Sequence, residues 1–178
     1  MLIGAGMPND GADGGGVGNP WDPVDQPSSE ATSAGDEPYE EIIVGGRYRV
    51  VVPDGWEHAA DGGGGVEFTS GANRMTASSI EVPPATLATD QLAALVKGQR
   101  KGFTGKIERP MDDSTADLQR ASMAGTGTFK GKPATLLAEL WIADAGSGLL
   151  ITRILTAKPE AEVPEEAQQM VDELSQGF

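Results

Sequence analysis

Apolar residues alternate with a period of two in two runs within residues 130–156, and a Gly-Ser-Gly turn at residues 146–148 separates the runs. Both faces of each run are apolar, which is typical of strands in the middle of a sheet that is covered on both sides. We therefore expect this hairpin at the centre of the core. The first run carries Leu136, Ala138, Leu140 and Ile142 on one face and Leu137 and Trp141 on the other; the second carries Leu149, Ile151 and Leu155, then Leu150 and Ile154.

A spacing of three and four between apolar residues predicts two amphipathic helices. The first is expected over residues 89–103, with Thr89 or Thr86 as its N-cap and Asp90 in its first turn. The second is expected to start near residues 163–164, where proline suits a first turn. The apolar stripes are Leu92, Leu95, Val96 and Phe103 in the first helix, and Ala167, Met170, Val171 and Leu174 in the second.

The remaining pattern predicts antiparallel strands with short connections. A Gly-Gly turn separates two strands in residues 42–52, and Asp61 to Gly65, with four consecutive glycines, predicts a mobile loop. Further strands are expected at residues 66–69, 74–82 and 117–129, with a short one opening at Ile107 and an acidic loop at 110–116. The predicted fold class is α+β: an antiparallel sheet of about six strands flanked by two helices, an α/β/α sandwich.

Residues 1–41 differ in composition from the rest of the chain. They hold eight Gly, five Pro and nine acidic residues, and no Lys or Arg. Such a segment buries too little apolar surface to offset its ordering entropy, so we predict a disordered tail, with the folded domain over residues 42–178. The tail is either an unstructured leader or a tether that leaves a membrane on its outer face, where Lys and Arg are rare.

The net charge of −14 argues against nucleic acid as a partner, because nucleic-acid affinity depends largely on clustered positive charge. It also argues against attraction to anionic lipid surfaces by bulk charge. The chain has no cysteine, which excludes disulfides, thiolate metal sites and a lipid-anchored cysteine within it. No apolar run approaches the roughly 20 residues of a transmembrane helix.

The sequence contains no recognisable motif for catalysis, cofactor binding or metal binding. The glycines at 125, 127 and 131 have the wrong spacing for a phosphate-binding loop, and Pro133 replaces the Ser or Thr that would hold magnesium. His58, the only histidine, lies beside the glycine-rich stretch and is expected in an exposed loop. Asp112, Asp113 and Asp117 match no calcium-loop spacing. We expect no catalytic, cofactor-binding or metal-binding residues.

One local feature runs against the acidic composition: a basic cluster at the end of the first predicted helix. It is either a docking patch for an acidic partner or headgroup, or a set of cations that stabilises the helix dipole without a ligand. A third option is that the acidic tail folds back onto it. Together with Trp56, the candidate partner-binding residues are Lys97, Arg100, Lys101, Lys106 and Arg109.

The sequence YRVVVPDGW at residues 48–56, then a glycine-rich loop and residues 66–69, resembles the PsbP-like superfamily, as do residues 85–87 and 131–134. Within it, the likeness is to LpqN-type lipoproteins and related membrane-tethered domains of actinobacteria. The resemblance implies an antiparallel sheet between helices, a place outside the cytoplasmic membrane, and a binding or accessory role without common catalytic residues. This chain departs from the lipoproteins in having no lipobox cysteine.

Three functional hypotheses follow. The first is a non-catalytic, extracytoplasmic accessory domain, a monomer tethered by the acidic linker, that binds a protein or lipid-like partner of the cell envelope; it predicts a membrane helix upstream in the full-length protein. The second is a cytoplasmic interaction protein or secretion-associated chaperone, for which Met1 would be the true start. The third is a hydrolase-type enzyme that uses His58 with a nearby carboxylate.

Overall fold

The computed structural model describes residues 40–144, 146–156 and 164–178, all within one compact unit, Glu37–Phe178. The predicted disordered tail lies outside the described residues, except for Glu40 and Glu41. The described residues form ten strands and two helices. In chain order these are β1 (Glu41–Val44), β2 (Tyr48–Val51), β3 (Glu57–Ala60), β4 (Gly65–Ser70), β5 (Asn73–Glu81), α1 (Ala88–Gln99), β6 (Phe103–Ile107), β7 (Met111–Asp112), β8 (Gln119–Phe129), β9 (Lys132–Asp144), β10 (Ser147–Leu155) and α2 (Glu165–Ser175).

Eight of the described strands form one antiparallel sheet in the order β3-β4-β5-β10-β9-β8-β6, with β7 also paired to β8. The first two strands form a separate two-stranded sheet. The predicted α+β class with two helices and an antiparallel sheet is confirmed. The predicted number of about six strands is too low, because the short strands β3 and β7 have exposed residues and so produce no alternating apolar pattern.

The predicted central hairpin is confirmed as β9 and β10, and β10 lies between β9 and β5 in the middle of the sheet. Leu140 of β9 pairs with Leu150 of β10, and both side chains are buried on the α1 side of the sheet. Leu149 and Ile151 are buried in the core on the opposite side. The hairpin is therefore apolar on both faces because a separate core packs against each face.

The two helices cover different parts of the structure. Leu92 and Val96 of α1 pack on one face of the sheet, and the second helix, together with the β1–β2 hairpin, packs on the other. The C-terminal Phe178 stacks on Tyr48 of β2, with ring centroids 5.1 Å apart. The predicted apolar stripe of the second helix is confirmed, since all four of its residues are buried: Ala167, Met170, Val171 and Leu174.

The predicted C-terminal end of α1 is wrong by four residues. The helix ends at Gln99 rather than Phe103, and Phe103 instead begins β6. The chain reverses at Gly102, whose φ of 86° lies in the left-handed region that glycine adopts readily. Phe103 continued the apolar spacing of the helix because its side chain enters the same core, but from the neighbouring strand.

The glycine-rich connection between β3 and β4, predicted to be a mobile loop, is tied together by Asp61. Its carboxylate accepts hydrogen bonds from the N–H groups of Gly63 (2.7 Å) and Gly65 (2.9 Å) and from the Ser78 hydroxyl (3.1 Å). Partial burial raises the pKa of the Asp61 carboxyl, but these bonds outweigh burial and hold the pKa below its usual value.

Close contact between β6 and β8 depends on two glycines that face each other, Gly105 and Gly127. A Cβ atom at Gly127 would lie 2.7 Å from the Cα of Gly105 and would also overlap the carbonyl oxygen of Thr104. The glycines at 125 and 127, which resemble part of a phosphate loop in the sequence, thus serve strand packing. Absence of a side chain lets the two backbones approach each other.

We expect Gly127→Ala to lower the free energy of unfolding by about 1–3 kcal/mol, because the added methyl group has no space between the strands. Gly98→Ala is the matched control. Gly98 lies in α1, and a Cβ there would meet nothing within 4 Å, so this change should stabilise the protein by about 0.5–1 kcal/mol. Urea unfolding of both variants checks the prediction, which fails if the two changes have effects of the same sign.

Candidate functional site

An open groove of about 570 Å³ lies where α1 ends and β6 begins. Three cationic side chains line it, Lys97 from the last turn of the helix and Arg100 and Lys101 from the turn that follows. We call this feature the basic groove. Its other lining residues are Gly98, Phe103, Thr104 and Gly105.

The basic groove is shaped by the way in which α1 ends. The backbone N–H of Arg100 donates to the carbonyl of Val96, which closes the last turn of the helix. The N–H of Phe103 then donates to the Arg100 carbonyl at 2.8 Å, so that the chain turns back within three residues and enters the sheet. Lys97, Arg100 and Lys101 are thereby held beside the start of an edge strand.

Arg74 of β5 binds the backbone of this turn. Its guanidinium donates to the carbonyl oxygens of Gln99 (2.9 Å) and Lys101 (3.0 Å), and its Nε is 3.1 Å from Glu67. Carbonyl groups at a helix C-terminus lack partners within the helix, so these bonds satisfy them and fix the backbone that carries Arg100. The sequence interpretation missed Arg74, because a contact across 25 residues leaves no local pattern.

The cations of the basic groove are exposed, and none of the ion pairs formed among the described residues includes Lys97, Arg100 or Lys101. Arg49 differs from these three cations. Arg49 is also exposed, but it lies 3.1 Å from the Glu41 carboxylate. Positive potential at the basic groove is therefore available for an anionic ligand, in a protein whose overall charge is −14.

The other two predicted basic residues lie beyond the basic groove. Lys106 is on β6, and its side chain projects from the face opposite to that of Phe103, because successive residues of a strand alternate. Arg109 follows the strand by two residues, and both side chains are exposed. The structure thus groups three of the five predicted cations in the basic groove. Lys106 lies on the opposite face of β6, and Arg109 lies beyond the end of that strand.

Trp56 lies away from the basic groove. It is 9% exposed and belongs to the core on the α2 side, together with Tyr48 and Phe68. The basic groove lies at the end of α1, on the other side of the sheet. The structure therefore does not bring Trp56 to the predicted cations, and its position is that of a packing residue.

His58 lies on β3 rather than in the exposed loop that the sequence predicts. Its Nε2 is 2.9 Å from a carboxylate oxygen of Glu40, and the two side chains are 29% and 63% exposed. Among the hydrogen bonds of the described residues, none joins a hydroxyl group to His58. Nowhere in the described residues are three metal-ligating side chains placed together to hold a metal ion.

A second open groove, of about 490 Å³, lies between β2 and the end of α2. Its charged groups are already engaged: Arg49 pairs with Glu41, and Glu173 accepts the Val51 N–H at 2.6 Å. A smaller cavity of about 250 Å³ lies beside Pro83 and Leu118. The basic groove is the better candidate for recognition of a ligand, because the cations of the basic groove form no ion pair among the described residues.

The fold is similar to several solved structures. The solution structure of cyanobacterial PsbP (CyanoP) from Synechocystis sp. PCC 6803 is 13% identical, with a TM-score of 0.47, and the match covers 73% of this chain and 84% of that one. LpqN, involved in cell envelope biogenesis of Mycobacterium tuberculosis, is 15% identical, with a TM-score of 0.39 and coverage of 79% and 82%. A crystal structure from Bacteroides thetaiotaomicron VPI-5482 is 13% identical, with a TM-score of 0.41 and coverage of 73% and 45%.

No protein-family profile and no curated protein matches this chain. The similarity to solved structures concerns the arrangement of helices and strands. It transfers no residue role or activity to this chain. Neither helix in the described residues has the length and apolar character needed to cross a membrane.

Proposed function

We propose that this chain is a non-catalytic accessory domain of the cell envelope that binds an anionic partner, protein or lipid-like, through the basic groove. The observation that carries the proposal is the group of exposed cations at Lys97, Arg100 and Lys101, which form no ion pair among the described residues. Arg74 holds their backbone in place through the Gln99 and Lys101 carbonyls. Cations beside an open groove attract an anion, and because the backbone of the turn is already held, binding has to order only their side chains.

A place outside the cytoplasm, with a tether, is part of the proposal. Its support is the composition of residues 1–41, which contain no Lys or Arg, as expected for a segment on the non-cytoplasmic side of a membrane. The same segment carries nine acidic residues, so it can itself be attracted to the basic groove and compete there with an anionic partner. In this arrangement the domain lies in the envelope and recruits a partner there.

Substituting the groove cations should weaken the binding of anions. The triple change Lys97→Gln, Arg100→Gln and Lys101→Gln is expected to weaken binding to fluorescent poly-L-glutamate, or to vesicles rich in phosphatidylglycerol, by at least about tenfold, since each cation contributes about 1 kcal/mol at an anionic surface. Fluorescence anisotropy and vesicle sedimentation measure the two cases. Binding should also weaken as salt increases.

The matched control compares single charges. Arg100→Gln should weaken binding several-fold, whereas Arg49→Gln, which removes an exposed cation already paired with Glu41, should leave it nearly unchanged. Equal losses in the two variants would show that net charge alone determines binding, and the proposed role of the basic groove would be abandoned. Phosphatidylcholine vesicles, which carry no net charge, serve as the second control.

A further inference from the structure

We propose that the free edge of β6 accepts an extended acidic segment of a partner protein as an additional strand. This inference rests on the proposed function, because the basic groove borders the same edge through Phe103, Thr104 and Gly105. It goes further in assigning the partner's class and the way in which its backbone binds. Strand addition takes affinity from main-chain hydrogen bonds and specificity from side chains on either side of the edge.

Backbone groups on one side of β6 have no partner strand in the described sheet, where β6 pairs only with β8. The N–H of Glu108 donates to the Ala124 carbonyl at 2.8 Å, in register with the pairing of Ile107 and Gly125. Hydrogen-bonded and non-bonded pairs alternate in antiparallel strands. Residues 104 and 106 therefore bond to β8, whereas the N–H and C=O groups of Gly105 and Ile107 point to the free edge.

The close approach of Gly105 and Gly127 supports this assignment, because opposing residues lie nearer to each other in non-bonded pairs. Thr104, Gly105 and Lys106 are all exposed in the described structure. None of the backbone bonds that the described residues form outside regular pairing uses Gly105 or Ile107. The edge is thus open to an incoming strand.

Cations flank this edge on both faces of the sheet. Lys97, Arg100 and Lys101 lie on the face that α1 covers, and Lys106 projects from the opposite face. The side chains of an added strand alternate between these faces, so carboxylates on either side would each meet a cation. The acidic residues that follow along the same side of β8, Glu108 and Asp112, lie beyond the end of β6.

The same cations select between possible partners. Pairing of two copies of this chain through β6 would bring their Lys106 side chains and basic grooves together, and like charges at a strand edge oppose such pairing. An anionic lipid would satisfy the cations but would leave the Gly105 and Ile107 groups without strand-like partners. An extended acidic segment satisfies both sets of groups, and for this reason we favour it.

The test uses the whole chain and a ten-residue peptide that repeats Glu-Glu-Val-Val, so that glutamates lie on both faces of the added strand. We expect salt-dependent binding, with hydrogen exchange of the Gly105 and Ile107 amides slowed at least about tenfold and exchange at Lys106, already bonded to β8, changed little. A peptide N-methylated at every residue keeps its carboxylates but loses its donors, and it should bind about tenfold more weakly.

Two results obtained with bound peptide would overturn the inference and leave the proposed function intact. One is equal binding of the plain and N-methylated peptides. The other is binding that leaves exchange at Gly105 and Ile107 unchanged, which would indicate contact by charge alone. Anionic vesicles that bind while the peptide does not would also reject it, in favour of a lipid-like partner. Failure of poly-L-glutamate, vesicles and peptide together would reject the basic groove itself.

Discussion

Replacement of Glu139 by alanine is expected to lower the free energy of unfolding by about 3–5 kcal/mol, the cost typical of leaving a buried charge without its partner. Glu139 lies on β9 and is 6% exposed. One of its carboxylate oxygens accepts from Arg120 at 2.7 Å and the other from Arg153, so a single acid compensates two guanidinium groups. Without it, two cations would remain close together against the sheet.

The surroundings of Arg153 explain why the loss should be large. Arg153 is 5% exposed and also donates to the Gln168 side chain of α2 at 2.9 Å. Burial lowers the pKa of its guanidinium below the usual value, and the Glu139 carboxylate raises it only in part. Arg120 is better placed to tolerate the change, since it is partly exposed and lies over the Trp141 ring at 4.2 Å.

Urea unfolding measures this loss, with Glu108→Ala as a control that removes an exposed acid and should change stability by less than about 0.5 kcal/mol. The double variant Glu139→Leu with Arg153→Met removes both buried charges and should cost less than Glu139→Ala alone. A loss below about 1 kcal/mol for Glu139→Ala would show that water reaches Arg153 and that the network contributes little to stability.

Replacement of Trp56 by alanine should lower the free energy of unfolding by about 3–5 kcal/mol, as is usual for a large aromatic residue removed from a core. The side chain belongs to the core that joins the β1–β2 hairpin, the sheet and α2. Val52, at the end of the hairpin, and Phe68, in β4, belong to the same cluster, and little can move in to fill the space.

This prediction separates two roles for Trp56: the packing role that its burial indicates, and the partner contact that the sequence predicts. Leu87→Ala is the control, because Leu87 is 63% exposed and its loss should change stability by less than about 0.5 kcal/mol. Weaker anion binding by Trp56→Ala with unchanged stability would favour the partner contact and contradict the packing role.

The sequence by itself determined which segments form the core. Alternation predicted the β9–β10 hairpin, and the spacing of Ala167, Met170, Val171 and Leu174 predicted the buried face of α2. These patterns are local, since each side chain faces the core according to the period of its own strand or helix. The basic cluster was visible for the same reason, because four of its five members lie within ten residues of one another.

Only the tertiary structure decided how those residues are grouped. Phe103 fits the spacing of a helix and the start of a strand equally well. The turn at Gly102, where a Cβ atom would come within 3.0 Å of the Phe129 ring, settles its place. Arg74 and Glu139 act on partners that are distant in the sequence or on other strands, so no local period reveals them. The free edge of β6 is likewise a property of strand order, which follows from how the apolar faces pack together and is not encoded in any one segment.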